Sequence, residues 1–207
     1  MHNEIMMDYI QRLFERHGLN TCVSTCFCFS KLPIEKLLFQ ARWNLRPWSD
    51  LELLLENLPP RMAKNALMRG EDRYMRTPLH DVAWKAPRSI IKLILALAPD
   101  ATRIKDKDGE LPLHSATYNN NIDAIKLLVD EYPDAVLEKN NKGETPLHCA
   151  AESAKNNDHS KRLRADIVKL LVRIYPKAIL TTVQDGILNM DDIKFLVVEW
   201  SNQALQF

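Results

Sequence analysis

The chain has 207 residues, of which 27% are charged, and its formal net charge at pH 7 is +1. This balance gives no general attraction to nucleic acid or to an anionic membrane, and no uncharged run approaches the roughly 18 residues of a membrane span. The four cysteines, without an Asn-x-Ser/Thr sequon or a leading signal peptide, predict an intracellular, cytoplasmic protein.

The N-terminal segment, residues 1–32, is predicted to hold an amphipathic helix over Glu4–Glu15, where apolar residues occur in pairs at helical spacing. A linker with Cys22, Cys26 and Cys28 follows. Structural zinc sites usually need a second ligand pair, which is missing here, so we expect no metal. Two alternatives remain for these cysteines: reduced thiols in a linker, or acylation that would tether the chain to a membrane.

Residues 33–70 are predicted to form a degenerate helix pair. The first helix would cover Pro33–Trp43 and the second Trp48–Leu58, whose leucine-rich run resembles the apolar runs found later in the chain. The segment from Pro60 to Arg76 is predicted to be a linker. Atypical units are expected at the end of a repeat array, because one of their faces meets water.

A four-residue motif then occurs three times, and the spacing is 34 residues (77 to 111, 111 to 145). A fixed period of this size indicates stacked structural repeats. An apolar run follows each motif and ends near a proline. The three motifs are Thr77-Pro78-Leu79-His80, Leu111-Pro112-Leu113-His114 and Thr145-Pro146-Leu147-His148, and the prolines are Pro99, Pro133 and Pro176.

Each repeat has the signals of two helices and a turn. Thr77 and Thr145 suit an N-cap, and the proline that follows suits the first helical position, where a missing N–H costs nothing. Alanines after the motif predict a thin first helix that can be packed on both sides. The second helix is expected to end before its proline, and Gly109 and Gly143 predict turns that need a positive φ.

This unit closely resembles an ankyrin repeat, whose consensus carries the Thr-Pro-Leu-His motif. The resemblance runs from about Glu71 to Asp185, although Leu111 replaces the threonine in the middle unit. It implies an all-α, helix-turn-helix repeat solenoid of about four repeats with degenerate ends. The predicted repeat domain is 33–207: the degenerate repeat 33–70, clear repeats 71–105, 106–139 and 140–183 (the last with an inserted loop at 154–165), and a terminal half-repeat 184–207.

The resemblance also implies which residues face a partner, namely those in the loop before each motif and those after its alanines. His80, His114 and His148 would be structural residues that hydrogen-bond between repeats. The implied partner-facing residues are Arg73, Tyr74, Arg76, Trp84 and Lys85 in the first clear repeat, Lys107, Asp108, Glu110, Tyr118 and Asn119 in the second, and Asn141, Lys142, Glu144, Glu152 and Ser153 in the third.

We therefore expect a monomeric, non-catalytic scaffold or adaptor without a cofactor, which binds another protein through the concave surface of loops and first helices. Trp84 and Tyr118 hold the same repeat position, so they are expected to be neighbours. The chain has no glycine-rich phosphate loop, and no helical metal motif. The alternative is a membrane-associated regulatory module, tethered by acylated cysteines or cut from a larger membrane protein.

A fractionation experiment separates these alternatives. Replacing Cys22, Cys26 and Cys28 together by serine removes every acylation site of the N-terminal segment, and we expect the protein to distribute between membrane and soluble fractions as the wild type does. A clear shift of the triple variant out of the membrane fraction would favour the tethered module instead.

Overall fold

A computed structural model describes residues 48–70 and 73–152, together with Ile167, Leu170, Leu171, Arg173 and Ile174. All regular elements in these ranges are helical. The predictions for Glu4–Glu15, the cysteine linker, the helix at Pro33–Trp43, the loop at 154–165 and the half-repeat 184–207 lie outside the described residues. The α-helices are α1 (Ser49–Asn57), α2 (Pro60–Leu67), α3 (Pro78–Lys85), α4 (Arg88–Leu97), α5 (Pro112–Tyr118), α6 (Ile122–Glu131) and α7 (Pro146–Glu152), and 3₁₀ helices cover Pro99–Arg103 and Pro133–Leu137.

The helices stack in two layers. The first helices of successive repeats, α3, α5 and α7, pack against one another in order, and the second helices α4 and α6 do the same beside them. Ala83, Ala116 and Ala150 are fully buried where α3, α5 and α7 meet, so the prediction of thin first helices packed on both sides is confirmed. The all-α repeat solenoid is confirmed with it.

The second helices supply most of the bulky core. Ile91 in α4 and Ile125 in α6 hold equivalent positions and are fully buried, and Ile94 and Leu128 repeat the pattern one turn later. Burying such a side chain contributes roughly 1.5–3 kcal/mol. Because these residues follow the helical period on one face, the opposite face of each helix remains open to solvent.

Proline ends both second helices in the same way. Ala98 and Tyr132, which precede Pro99 and Pro133, have φ values of −146° and −139° and so have left the helical region. The prediction that these helices end before proline is confirmed. Each proline then begins a 3₁₀ helix, in a position where its missing N–H leaves no hydrogen bond unmade.

The N-terminal repeat differs from its prediction. α1 ends ahead of Pro59 and packs against α4, as a second helix should. The segment that follows is not a linker, because Pro60–Leu67 forms the α-helix α2. Pro60 sits at its first position, and the next residues are mostly good helix formers. Ala63 and Leu67 are buried, so α2 extends the core where later repeats have only a 3₁₀ helix.

The loops between repeats follow one design. Asp106 Oδ1 accepts hydrogen bonds from the amides of Asp108 and Glu110 at 2.9 and 2.8 Å. Asn140, one period later, does the same for Lys142 and Glu144 at 3.0 and 2.9 Å. The side chain thus closes a turn on its own backbone, and the loop holds its shape before any partner arrives.

Glycine completes this turn, as predicted. Gly109 and Gly143 have φ values of 76° and 82°, in the left-handed region that favours glycine. Their surroundings differ. A β-carbon on Gly109 would overlap Asn141, whose backbone nitrogen would lie 2.9 Å away, whereas a β-carbon on Gly143 would meet nothing within 4 Å.

Alanine at these two glycines should therefore have unequal effects. Gly143→Ala creates no steric overlap, but it places alanine in a left-handed conformation that alanine disfavours. We expect it to lower the free energy of unfolding by about 1 kcal/mol. Gly109→Ala must also displace the next loop, so its loss should be clearly larger. Urea unfolding of the two variants beside the wild type measures the difference. Equal losses would contradict the close approach of the two loops.

Candidate partner-binding surface

The residues predicted to face a partner lie on the loops between repeats and at the C-terminal ends of the first helices. Glu152 is described only as part of the backbone of α7, and Ser153 lies outside the described residues. Eight of the others are exposed: Arg73, Tyr74, Lys85, Lys107, Asp108, Tyr118, Asn141 and Lys142. Arg76, Trp84, Glu110, Asn119 and Glu144 are partly buried.

Trp84 and Tyr118 form an aromatic pair across two repeats, as their common repeat position predicted. Their ring centroids are 5.5 Å apart and the planes are tilted by 33°. The side-chain amide of Asn119 donates to the carbonyl oxygen of Trp84, which ties the two helix ends together. Tyr118 is 48% exposed. The pair is thus an aromatic surface held in place by its own contacts.

The first loop carries a second aromatic group, flanked by two cations. The guanidinium carbons of Arg73 and Arg76 lie 4.6 and 5.2 Å from the ring centroid of Tyr74. Arg76 also approaches Asp81, with 3.6 Å between Nη1 and Oδ1. Stacking on an aromatic ring restrains a long arginine side chain while leaving its N–H edge available for hydrogen bonds.

Met75 belongs to this surface, although the sequence reasoning did not select it. Its φ is 57°, and its side chain is 60% exposed. The signal was the repeat register, because Met75 stands 34 residues before Gly109 and Gly143 follows after 34 more. A methionine thus occupies the left-handed position of the first loop.

Other predicted contact residues form hydrogen bonds within a loop or between neighbouring loops. The Asn141 side chain donates to the carbonyl of Lys107 at 3.0 Å, one loop back. The Glu144 carboxylate accepts from Asn140 at 2.9 Å. Burial, with Asp106 nearby, raises the pKa of the Glu110 carboxyl above its ordinary value. These side chains shape the loops, and so support the surface from within.

The motif histidines hold the loops on the helices. In each unit Nδ1 accepts a hydrogen bond from the backbone amide of the residue before the proline, at 3.1, 3.1 and 2.9 Å. Thr77 and Thr145 precede their helices as predicted, and their hydroxyls lie 2.8 and 2.6 Å from the same ring nitrogen. The middle unit keeps the amide bond with Leu111 in that position, so the capping acceptor common to all three units is the histidine.

The other ring nitrogen reaches the next repeat. His80 Nε2 lies 3.0 Å from the carbonyl oxygen of Glu110, and His114 Nε2 lies 3.3 Å from that of Glu144. Since Nδ1 accepts and the facing carbonyl can only accept, the proton of the neutral ring must be on Nε2, which donates. The prediction that the motif histidines link repeats by hydrogen bonds is confirmed for His80 and His114.

Burial keeps these rings neutral. It lowers the pKa of His80 below its ordinary value, and it lowers the pKa of His114 to about 4, with nearby Lys105 acting in the same direction. A second proton would have to be placed on Nδ1, where it would replace the acceptor that the helix amide needs. The hydrogen-bonding pattern and the low pKa therefore have the same structural basis.

The described part of the chain offers no other obvious chemistry. No three His, Cys, Asp or Glu side chains within it are grouped so that they could hold a metal ion. Cys149 is buried in α7. None of the helices in the described ranges is long and apolar enough to cross a membrane.

Comparison with known families gives one result for this chain. A family model described as ankyrin repeats, in three copies, matches residues 79–185. These residues include all three motif histidines, the Trp84–Tyr118 pair and the last two loops. A search of curated proteins finds no match.

The histidine geometry predicts how stability depends on pH. His114 binds a proton near pH 6.5 when unfolded but only near pH 4 when folded, so the unfolded state gains protons first as the pH falls. The stabilisation is complete above pH 6.5 and is lost towards pH 4, by about 3 kcal/mol. His114→Gln keeps an acceptor and a donor but cannot titrate. Chemical unfolding across this pH range should show a gap in stability between wild type and His114→Gln that shrinks towards pH 4.

Glu110→Gln is the matched control for this experiment. The raised pKa of Glu110 has the opposite sign: its carboxyl takes up a proton more readily in the folded state, which stabilises the fold as the pH falls. Removing it should steepen the acid decline. A constant gap between wild type and His114→Gln over the whole range would show that His114 does not titrate as described.

Proposed function

Because the chain belongs to the ankyrin-repeat family, we propose that it is a non-catalytic scaffold or adaptor that binds a partner protein through its row of loops and first-helix ends. Repeats of this family generally mediate protein–protein interaction, and such domains are typically non-catalytic. Function is not fixed by fold, so the proposal depends on what this particular surface presents.

The observation that carries the proposal is the Trp84–Tyr118 pair. Tryptophan and tyrosine are enriched among the residues that dominate binding energy at interfaces. Here the two rings lie 5.5 Å apart on consecutive repeats, and Tyr118 is 48% exposed. Two aromatic rings at the same repeat position make a continuous apolar contact area between two rigid elements.

The loops between repeats support the same use. Their backbones are fixed by Asp106 and Asn140, and the loops are tied to one another, since Lys107 N–H donates to the Tyr74 carbonyl at 2.8 Å. A surface that is ordered before binding loses little conformational entropy when the partner docks. The exposed side chains on these loops are the remaining proposed contact residues.

Charge along the row would set the orientation of the partner. Arg73 and Arg76 flank the first end, whereas Glu144 lies on the third loop with Lys142 beside it. Complementary charges fix register and on-rate more than affinity. We therefore expect the partner to place an apolar group on the Trp84–Tyr118 pair and acidic residues towards the first repeat.

Trp84→Ala tests the proposal. Truncating an anchor residue costs on the order of 2 kcal/mol or more, which corresponds to well over tenfold in affinity. Quantitative affinity capture from lysate, with wild type and variant as baits, should identify proteins that are retained by the wild type and depleted with Trp84→Ala. Binding of each candidate to the purified variants then gives the affinity change.

Leu53→Ala is the control, because Leu53 is an exposed apolar residue on α1, remote in sequence from the loops. It should leave capture unchanged, and thermal unfolding should show that Trp84→Ala remains folded. Should Trp84→Ala unfold the protein, the residue is part of the core and the surface is misassigned. Full binding by a folded Trp84→Ala protein would place the interaction elsewhere.

A further inference from the structure

The loop at the start of the first clear repeat is built differently from its two successors. All three loops adopt the left-handed conformation at one position, with φ values of 57°, 76° and 82° at Met75, Gly109 and Gly143. The second and third loops meet this requirement with glycine, which adopts it without steric cost. The first loop uses a residue with a long side chain, for which the same conformation is strained.

Burial of Met75 does little to offset that strain. Its side chain is 60% exposed, so it gains little from burial. The backbone is held in place from two sides: Lys107 N–H donates to the Tyr74 carbonyl at 2.8 Å, and the Met75 carbonyl lies so close to Gly70 that a β-carbon there would overlap it. The fold thus imposes a left-handed conformation on a residue that presents its side chain to solvent.

We propose that Met75 is a partner-contact residue, and that the first loop binds a partner segment carrying a bulky apolar side chain next to a carboxylate. Strained residues persist where the surrounding structure enforces them, and they concentrate at binding sites. Methionine is suited to such a contact, because its flexible, polarisable side chain adapts to different apolar partners. This inference rests on the proposed function and names the chemistry of the partner.

The carboxylate follows from the residues on either side. Both charged residues among 73–76 are arginines, and both are stacked on Tyr74. Arg76 Nη1 lies 3.6 Å from Asp81 Oδ1, whereas Arg73 is exposed two residues before Met75. A guanidinium restrained by stacking presents a fixed fork of donors that fits a carboxylate. Tyr74 and Met75 supply the apolar contact next to it.

The test uses a phage-displayed library of random peptides selected on the full chain. We expect the selected peptides to share an apolar residue adjacent to Asp or Glu. Synthetic versions are then titrated against the wild type, Trp84→Ala and four further variants. Met75→Ala removes the side chain and keeps the strain, whereas Met75→Gly removes both. Arg73→Glu reverses the charge, and Lys126→Glu makes the same reversal at an exposed cation on α6, outside the proposed contact surface.

Both Met75 variants should bind the selected peptides about tenfold more weakly, and Arg73→Glu should weaken them at least as much. Lys126→Glu should have a small effect. Only Met75→Gly should raise the melting temperature, by about 2 °C. Weaker binding by a more stable protein would distinguish a contact residue from a structural one.

Several outcomes would overturn the inference. Peptides without the apolar–acidic pattern, or no selected peptides at all, would contradict the proposed partner chemistry. A lower melting temperature for Met75→Gly would make Met75 structural. Peptides that lose affinity for Trp84→Ala but bind both Met75 variants normally would leave the proposed function standing and remove this inference. Peptides indifferent to Trp84 and Met75 alike would count against both.

Discussion

The described structure depends on the two hydrogen bonds that the neutral imidazole of the motif histidine makes. One ring nitrogen of His114 accepts a hydrogen bond from the backbone amide at the start of its own helix, and the other donates one to a carbonyl of the following loop. The cap, the helix start and the position of the next loop are therefore set by a single side chain. The middle unit shows that the threonine is secondary: the amide is a backbone group, so leucine at position 111 leaves the cap intact, with its side chain buried in the same place.

How much could be predicted from the sequence depended on how regular each segment was. The motif, the prolines that end the second helices and the glycines of the turns each recur at a fixed position in the repeat. The structure of these segments could therefore be predicted from the local residues alone. The helix at Pro60–Leu67 could not be found this way. A proline pair usually indicates a break, and whether the residues beyond it form a helix depends on burial of Ala63 and Leu67 against α4, which is a tertiary effect.

For the candidate binding surface, too, some features could be predicted from the repeat period and others could not. Equal repeat position sufficed to place Trp84 beside Tyr118, because stacking turns a separation of one period into contact. The resemblance could not distinguish exposed side chains from those committed to the neighbouring repeat, such as Asn119 and Asn141, since both kinds occupy polar loop positions. The 34-residue period draws attention to residues that recur. Met75 was missed because it differs from Gly109 and Gly143, which hold the same repeat position, and that difference is what makes it informative.

In the part of the chain that the structure describes, side-chain hydrogen bonds between repeats join adjacent units. The histidine bonds join residues 30 positions apart, Lys105 reaches Lys139 over 34, and Asn121 reaches Ala83 over 38. Contact order therefore stays low however many units are stacked, and no long segment must close before native contacts form. Folding of such a chain can nucleate at any adjacent pair of units and spread outwards, and unravelling should begin at an end. A partner that spans several loops would connect repeats that are not neighbours. Binding would therefore make the unfolding of distant repeats cooperative, which contacts between adjacent repeats alone do not do.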